Sequence, residues 1–167
     1  DRLRSRGLGD VYKRQGRNKV ILDGDFIRLN KFSTDAEKET VVSLQLMAGG
    51  PVTVADQYHN IGDNLKFYTN SELLALNEDR FVGHPLSDKL NNTDNQIWYG
   101  EMSNGDYVIG IFNRDDSPRS VTVEFSKLGI DGERKIRDLW RHADEGSASS
   151  VTATIAAHGC KIIRLSK

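Results

Sequence analysis

The feature that most constrains this chain is a change of texture near Pro85. Ahead of it, apolar residues recur at helical spacing between short runs rich in β-branched residues. Behind it, apolar and polar residues alternate in short stretches separated by turn residues, with no helical stripe. The first half therefore reads as strand, helix, strand, helix, and the second as an antiparallel sheet.

In the first half, Lys19-Val20-Ile21-Leu22 has the character of a short buried strand, with Asp23-Gly24-Asp25 at its C-terminal end. Thr34-Asp35-Ala36-Glu37 has the form of a capping box, which predicts a helix carrying Val41, Val42, Leu44 and Met47 as its apolar stripe. Gly49-Gly50-Pro51 ends it, since glycine accepts the left-handed cap conformation and proline cannot continue a helix. Val52-Thr53-Val54-Ala55 reads as the next strand, with Asp56 at its end. Two strands one helix apart make a βαβ unit and hence a parallel pair. Functional groups in such sheets gather at the C-terminal strand ends, which puts Asp23, Asp25 and Asp56 on that side. A second helix follows, with Ser71 as N-cap and Leu73, Leu74 and Leu76 as its apolar part.

In the second half, Ser103-Asn104-Gly105-Asp106 lies between Ile97-Trp98-Tyr99 and the run Tyr107 to Phe112, a hairpin signature. Asp115-Asp116-Ser117-Pro118 is a turn, and Val121 to Phe125 and Lys135 to Trp140 alternate as strands do. Val151 to Ile155 and Cys160 to Leu165, joined through His158-Gly159, are expected to close as a hairpin. Short strands at this spacing predict an antiparallel sandwich.

Composition narrows the function classes. The 167 residues suffice for a buried core. A net charge of −1 gives no field that would draw nucleic acid or a membrane surface, and neither partner is expected. No run of 18 apolar residues is present. The single cysteine, Cys160, excludes an internal disulfide and falls inside an expected strand. The four histidines, His59, His84, His142 and His158, lack metal-ligand spacing, so no metal or other cofactor is expected. Gly49-Gly50 precedes a strand, the wrong order for a dinucleotide site. Residues 1–15 carry five basic residues against Asp1 and Asp10, a net +3 that leaves −4 for the remainder. They resemble translated linker sequence from the ends of sequencing contigs, the functional alternative being a basic nucleic-acid-binding arm, and are expected to be an artefact or disordered.

Several segments, in order and spacing, resemble the C-terminal third of family 27 glycoside hydrolases, the α-galactosidase group. They are Leu22-Asp23-Gly24-Asp25-Phe26, Ser43 to Pro51, Val52 to Asp56, Asn70 to Asp79, Gly110-Ile111-Phe112-Asn113-Arg114 and Arg137-Asp138-Leu139-Trp140. The resemblance covers nearly everything after residue 18. It implies an α/β plus all-β chain: residues 16–85 as the terminal βα units of a (β/α)8 TIM barrel, and residues 95–167 as a C-terminal antiparallel β-sandwich. It implies a retaining parent enzyme that cleaves α-linked oligosaccharides or polysaccharides with two aspartates and no cofactor. Those aspartates belong to earlier barrel strands, so no catalytic residue is assigned here. Asp25 and Phe26 map to positions lining the sugar pocket. Gly24 stands where the family has proline, and Phe26 where it has methionine.

Three alternatives stay open. Asp23 and Asp25, two apart on a strand end, have about 6.6 Å between Cα atoms, a spacing that suits an acid/base pair; a turn rich in Asp and Gly needs no such chemistry. Asp56 belongs either to a polar loop at the barrel mouth or to a cap. Trp98 and Trp140 fit either a sandwich core or exposed platforms for sugar rings, the latter in a carbohydrate-binding module.

Overall fold

The computed structural model describes residues 23–87 and 96–167. The expectations for residues 1–15 and for a strand at Lys19 to Leu22 lie outside the described residues.

The first long helix, α1 (Asp35–Met47), starts on the expected capping box. The Thr34 hydroxyl accepts from the Glu37 amide at 3.2 Å, and the Glu37 carboxylate accepts from the Thr34 amide at 2.9 Å. It ends at Gly49, whose φ of +70° lets the Gly50 amide turn back to the Gln45 carbonyl at 3.2 Å. Two single-turn helices, α2 (Tyr58–Ile61) and α3 (Leu65–Tyr68), lead to α4 (Ser71–Glu78). The cap of α4 is Asn70, not Ser71. Asn70 is the last extended residue, so its side-chain oxygen reaches the Leu73 amide at 3.1 Å, while Ser71 is already helical.

The expected strand at Val52 to Ala55 is reduced to one parallel bridge, Ile27 with Val54. The Ile27 amide donates to the Thr53 carbonyl at 2.8 Å, and the Ala55 amide donates to the Ile27 carbonyl at 2.9 Å. Helix α1 is the crossover between the two. The pairing falls after Asp23 and Asp25 in the chain, and Asp56 follows Val54 at the C-terminal end of the pair.

Among the described residues eight strands follow: β1 (His84–Pro85), β2 (Ile97–Glu101), β3 (Tyr107–Phe112), β4 (Arg119–Glu124), β5 (Arg134–Asp138), β6 (Ala143–Ala148), β7 (Ser150–Ile155) and β8 (Cys160–Ser166). Six of them form an antiparallel sheet in the order β1-β2-β3-β8-β5-β6, and β4 pairs with β7 in a second sheet. The sheet thus takes in His84–Pro85, with Pro85 in an edge strand where a missing amide costs no ladder bond. The Asn104-Gly105 hairpin joins β2 to β3 as expected, with Gly105 at φ +83°.

The expected closing hairpin does not form: β7 pairs with β4, whereas β8 lies between β3 and β5, and Ala156 to Gly159 carries the chain from one sheet to the other. The cause is burial. Strand β7 is covered on one face, so it alternates, while β8 needs apolar cover on both faces and finds it only in the middle sheet. Phe125 and the pair Leu139-Trp140 also fall beyond their strands, Phe125 in a 3-10 turn and the other two in the turn after β5.

The result is three layers, with the six-stranded sheet in the middle. On β3, Ile109 and Ile111 face the two-stranded sheet and pack with Val123, Phe125, Val151 and Ile163. Val108 and Phe112, on the other face, share a core with Met47, Leu46, Leu73, Leu76 and Phe81 of the helical half. Two glycines allow that approach. A Cβ on Gly100 would stand 2.8 Å from the Phe81 ring, and one on Gly110 would stand 3.3 Å from the Met47 methyl.

Candidate functional site

Asp23 and Asp25 occupy an irregular exposed segment. The Asp23 carboxylate accepts from the Asp25 amide at 3.0 Å, and the Asp25 carboxylate accepts from the Phe26 amide at 2.7 Å. Asp25 has φ +68°, so the backbone is not extended there, and the two carboxylates do not line one face of a strand. This is the turn geometry that short acidic residues favour. Helix α1 braces the segment: Gln45 donates its side-chain amide to the Asp25 carbonyl at 3.1 Å and fills the space a Cβ on Gly24 would take. Phe26 projects outward, 65% exposed.

Asp56 has a structural role. It accepts from the Leu29 amide at 2.9 Å, the Asn30 amide at 3.3 Å and the Tyr68 hydroxyl at 2.8 Å. It therefore caps the turn Leu29–Lys31 that precedes α1, rather than the helix that follows it. Burial, with the Asp56 carboxylate alongside, raises the pKa of the Tyr68 hydroxyl and keeps it a donor.

Of the two tryptophans, Trp98 belongs to the core, and Trp140 is only partly buried against it. Trp98 is 6% exposed. Trp140 is half-buried, meets Phe67 edge to face at 6.0 Å, and donates its indole N–H to the Ser43 hydroxyl at 2.8 Å. Cys160 sits by the same hydroxyl, and burial pushes its thiol up to about 12, leaving it no nucleophile at neutral pH. Among the described residues, no group of three or more His, Cys, Asp or Glu side chains is placed to hold a metal ion. No helix among them is long and apolar enough to cross a membrane.

The densest polar chemistry lies along the seam between helices and sheet. Arg137 of β5 grips Glu72 of α4 with two hydrogen bonds of 2.7 Å, and His142 adds its Nδ1 at 2.6 Å from the same carboxylate. The Arg137 hydrogen bonds hold the Glu72 carboxyl down to about 2. Arg141 grips the buried Glu39 of α1 at 2.8 and 3.0 Å. On the opposite face of the sheet, the side of Ile111, Ile136 and Ile163, Lys161 reaches Asp138 and Glu145, each at 2.6 Å; burial lowers its pKa, but the two carboxylates outweigh that and keep it charged. Asn70 clasps the seam as well as capping α4, donating to the Leu139 carbonyl at 2.9 Å. Beside these pairs, α1, α3, the start of α4 and the turn after β5 enclose an open cleft of about 380 Å³. The sequence does not announce these pairings. Glu39 and Arg141 are 102 positions apart, and Glu72 and Arg137 are 65 apart, so no local spacing announces them.

Comparison with known proteins agrees with this architecture. Residues 92–165 match the family described as alpha galactosidase C-terminal beta sandwich domain. The isomalto-dextranase of Arthrobacter globiformis is 39% identical over 161 residues, covering 91% of this chain and 25% of that protein. Its solved structure, in complex with panose, superposes with a TM-score of 0.85 at 36% identity over 95% of this chain and 28% of its own. An α-galactosidase of Oryza sativa subsp. japonica is 26% identical over 146 residues, covering 84% of this chain and 34% of that protein. The chain spans about a quarter to a third of the length of these curated relatives. It belongs to the α-galactosidase-like proteins of glycoside hydrolase family 27, as their C-terminal part with its β-sandwich domain.

Proposed function

We propose that this chain is the C-terminal part of a retaining glycoside hydrolase that cleaves α-linked sugars, and that it carries neither catalytic aspartate itself. Residues 16–85 supply the last βα units of a (β/α)8 barrel, and residues 95–167 form a β-sandwich that buttresses them. The parallel pairing of Ile27 with Val54 across α1 carries this reading, because α1 is a barrel-type crossover helix whose buried face is sealed by the sandwich. Val54 of that pair and Phe26 beside it are exposed and apolar, in the manner of groups that adjoin further barrel. The parent would form and hydrolyse a covalent glycosyl-enzyme, one carboxylate attacking the anomeric carbon and the other protonating the leaving oxygen. Asp25 accepts a sugar hydroxyl and Phe26 packs against the ring.

A chimaera tests the proposal. Residues 16–167 would replace the matching C-terminal part of the Arthrobacter isomalto-dextranase. The expected result is a chimaera that hydrolyses an α-linked glucan, loses 10-fold or more in kcat/KM on Asp25→Asn, and shows no activity in the isolated chain. A folded but inactive chimaera, or hydrolysis by the isolated chain, would overturn it.

A further inference from the structure

The cleft on the seam is separate from the Asp25–Phe26 segment, and its walls match one kind of ligand. At about 380 Å³ it falls within the range of small-molecule sites, ~300–1,000 Å³. Its charged side chains already neutralise one another. Glu39 is held by Arg141, and Asp35 accepts from Lys66 at 3.0 Å, so two carboxylates face two cations with no charge left to select an ion. These planar and multivalent groups keep free hydrogen-bonding capacity. The Arg141 side chain is 63% exposed even with Glu39 bound, and Asp35 and Lys66 are similarly open. The apolar part of the wall is aromatic. Trp140 is half-buried, pinned through Ser43 and backed by Phe67, so its ring is presented rigidly. An aromatic surface beside paired planar polar groups fits a molecule with apolar C–H faces and a rim of adjacent hydroxyls.

We propose that this cleft binds a neutral carbohydrate, one or two sugar units of a glycan, as an accessory site on the helix–sandwich seam. The sugar ring packs on Trp140 while vicinal hydroxyls bridge Arg141, Lys66 and Asp35. The site does not depend on the proposed sugar-contact role of Asp25 and Phe26, since none of its residues belongs to that segment. Its affinity is weak, on the order of millimolar, because an open cleft buries only part of the ligand.

The chain contains two tryptophans, which gives a direct readout. The indole N–H resonances of Trp98 and Trp140 are assigned with Trp98→Phe and followed in the full chain during titration with panose. The proposal expects a saturable shift of the Trp140 signal, a still Trp98 signal, and loss of the shift in Ser71→Tyr, which fills the cleft from an exposed rim position. If Ser71→Tyr does not fold, Thr69→Tyr blocks the same rim. No Trp140 shift at tens of millimolar panose, equal movement of both indoles, or an unchanged shift in the blocked variant would overturn the proposal. So would a Trp140 shift given by inorganic pyrophosphate and not by panose, since the site would then select anions.

Discussion

If helices and sandwich share one core, a side chain at the seam should destabilise both at once. Phe81 is the sharpest probe. It is 2% exposed, and its ring lies over Gly100 of β2 and against Gly83, in the space their missing side chains leave. Full burial of a side chain of this size contributes about 1.5–3 kcal/mol by transfer from water. The cavity adds to that in Phe81→Ala, because the glycines below have no side chains that could collapse into it. The expected total is about 3–5 kcal/mol. For a chain of this length, 1 kcal/mol moves Tm by roughly 2–4 °C, so Tm should fall by about 6–20 °C. Urea unfolding would be followed by far-UV circular dichroism, which weights the helices, and by fluorescence of Trp98 and Trp140, which report the seam. Coincident transitions, displaced together in the variant, are the expected result. A biphasic curve in which Phe81→Ala moves only the helical signal, with the sheet unfolding at its original midpoint, would refute the shared core.

Asn113 is 1% exposed and donates its side-chain amide to the carbonyls of Ser117 at 2.8 Å and Ala156 at 2.9 Å, tying the turns that join the two sheets. Asn113→Ala should cost about 2–4 kcal/mol through those unpaired groups, measured by urea unfolding. Thr34→Ala removes the hydroxyl of the α1 capping box and should cost about 1 kcal/mol in the same measurement. The Glu72 carboxyl, held at about 2 in the folded chain against 4.5 unfolded, contributes stability that is complete above the unfolded value and is lost as pH falls from about 4.5 towards 2. Linkage sets an upper bound of ~3 kcal/mol, and solvent access through His142 reduces the expected loss to ~1 kcal/mol. Unfolding at pH 7 and pH 3 should show that loss in the native chain, and Glu72→Gln should flatten this part of the pH dependence.

The elements legible in the sequence were those with a local physical cause. The capping box at Thr34 and the Gly49 terminator stand within three or four residues of what they act on, and α1 starts and stops there. The Asn104-Gly105 turn fixed β2 against β3 for the same reason. Strand partners two or more elements away carry no such mark. The 151–155 and 160–165 runs sit at hairpin distance yet belong to different sheets. Strand β6 has an exposed, nearly apolar-free sequence that no alternation rule would select. Of the candidate site residues, Asp56 was legible as important but not as a cap, since its partners Leu29 and Tyr68 come from either side of it in the chain. The ion pairs of the seam left no trace, because each partner is an ordinary surface residue until the fold brings the other to it.

The same seam decides between two roles for the sandwich. A free carbohydrate-binding module must keep both outer faces of its sheets polar or capped by its own loops. Here the central strand β3 of the middle sheet is buried on both sides, which is why Tyr107 to Phe112 reads as a nearly unbroken apolar run. Removing the helical half would bare Trp98, Val108, Phe112 and Ile162 together. It would also unpair Arg137 from Glu72 and Arg141 from Glu39. Burial of that apolar strip contributes about 1.5–3 kcal/mol for each large side chain, a sum that exceeds what a domain of about 70 residues keeps in reserve. Residues 96–167 expressed alone should therefore bind a hydrophobic dye and fail to unfold cooperatively, while residues 23–167 unfold in one transition. A stable, dye-silent sandwich from 96–167 would restore the independent module and remove the buttress.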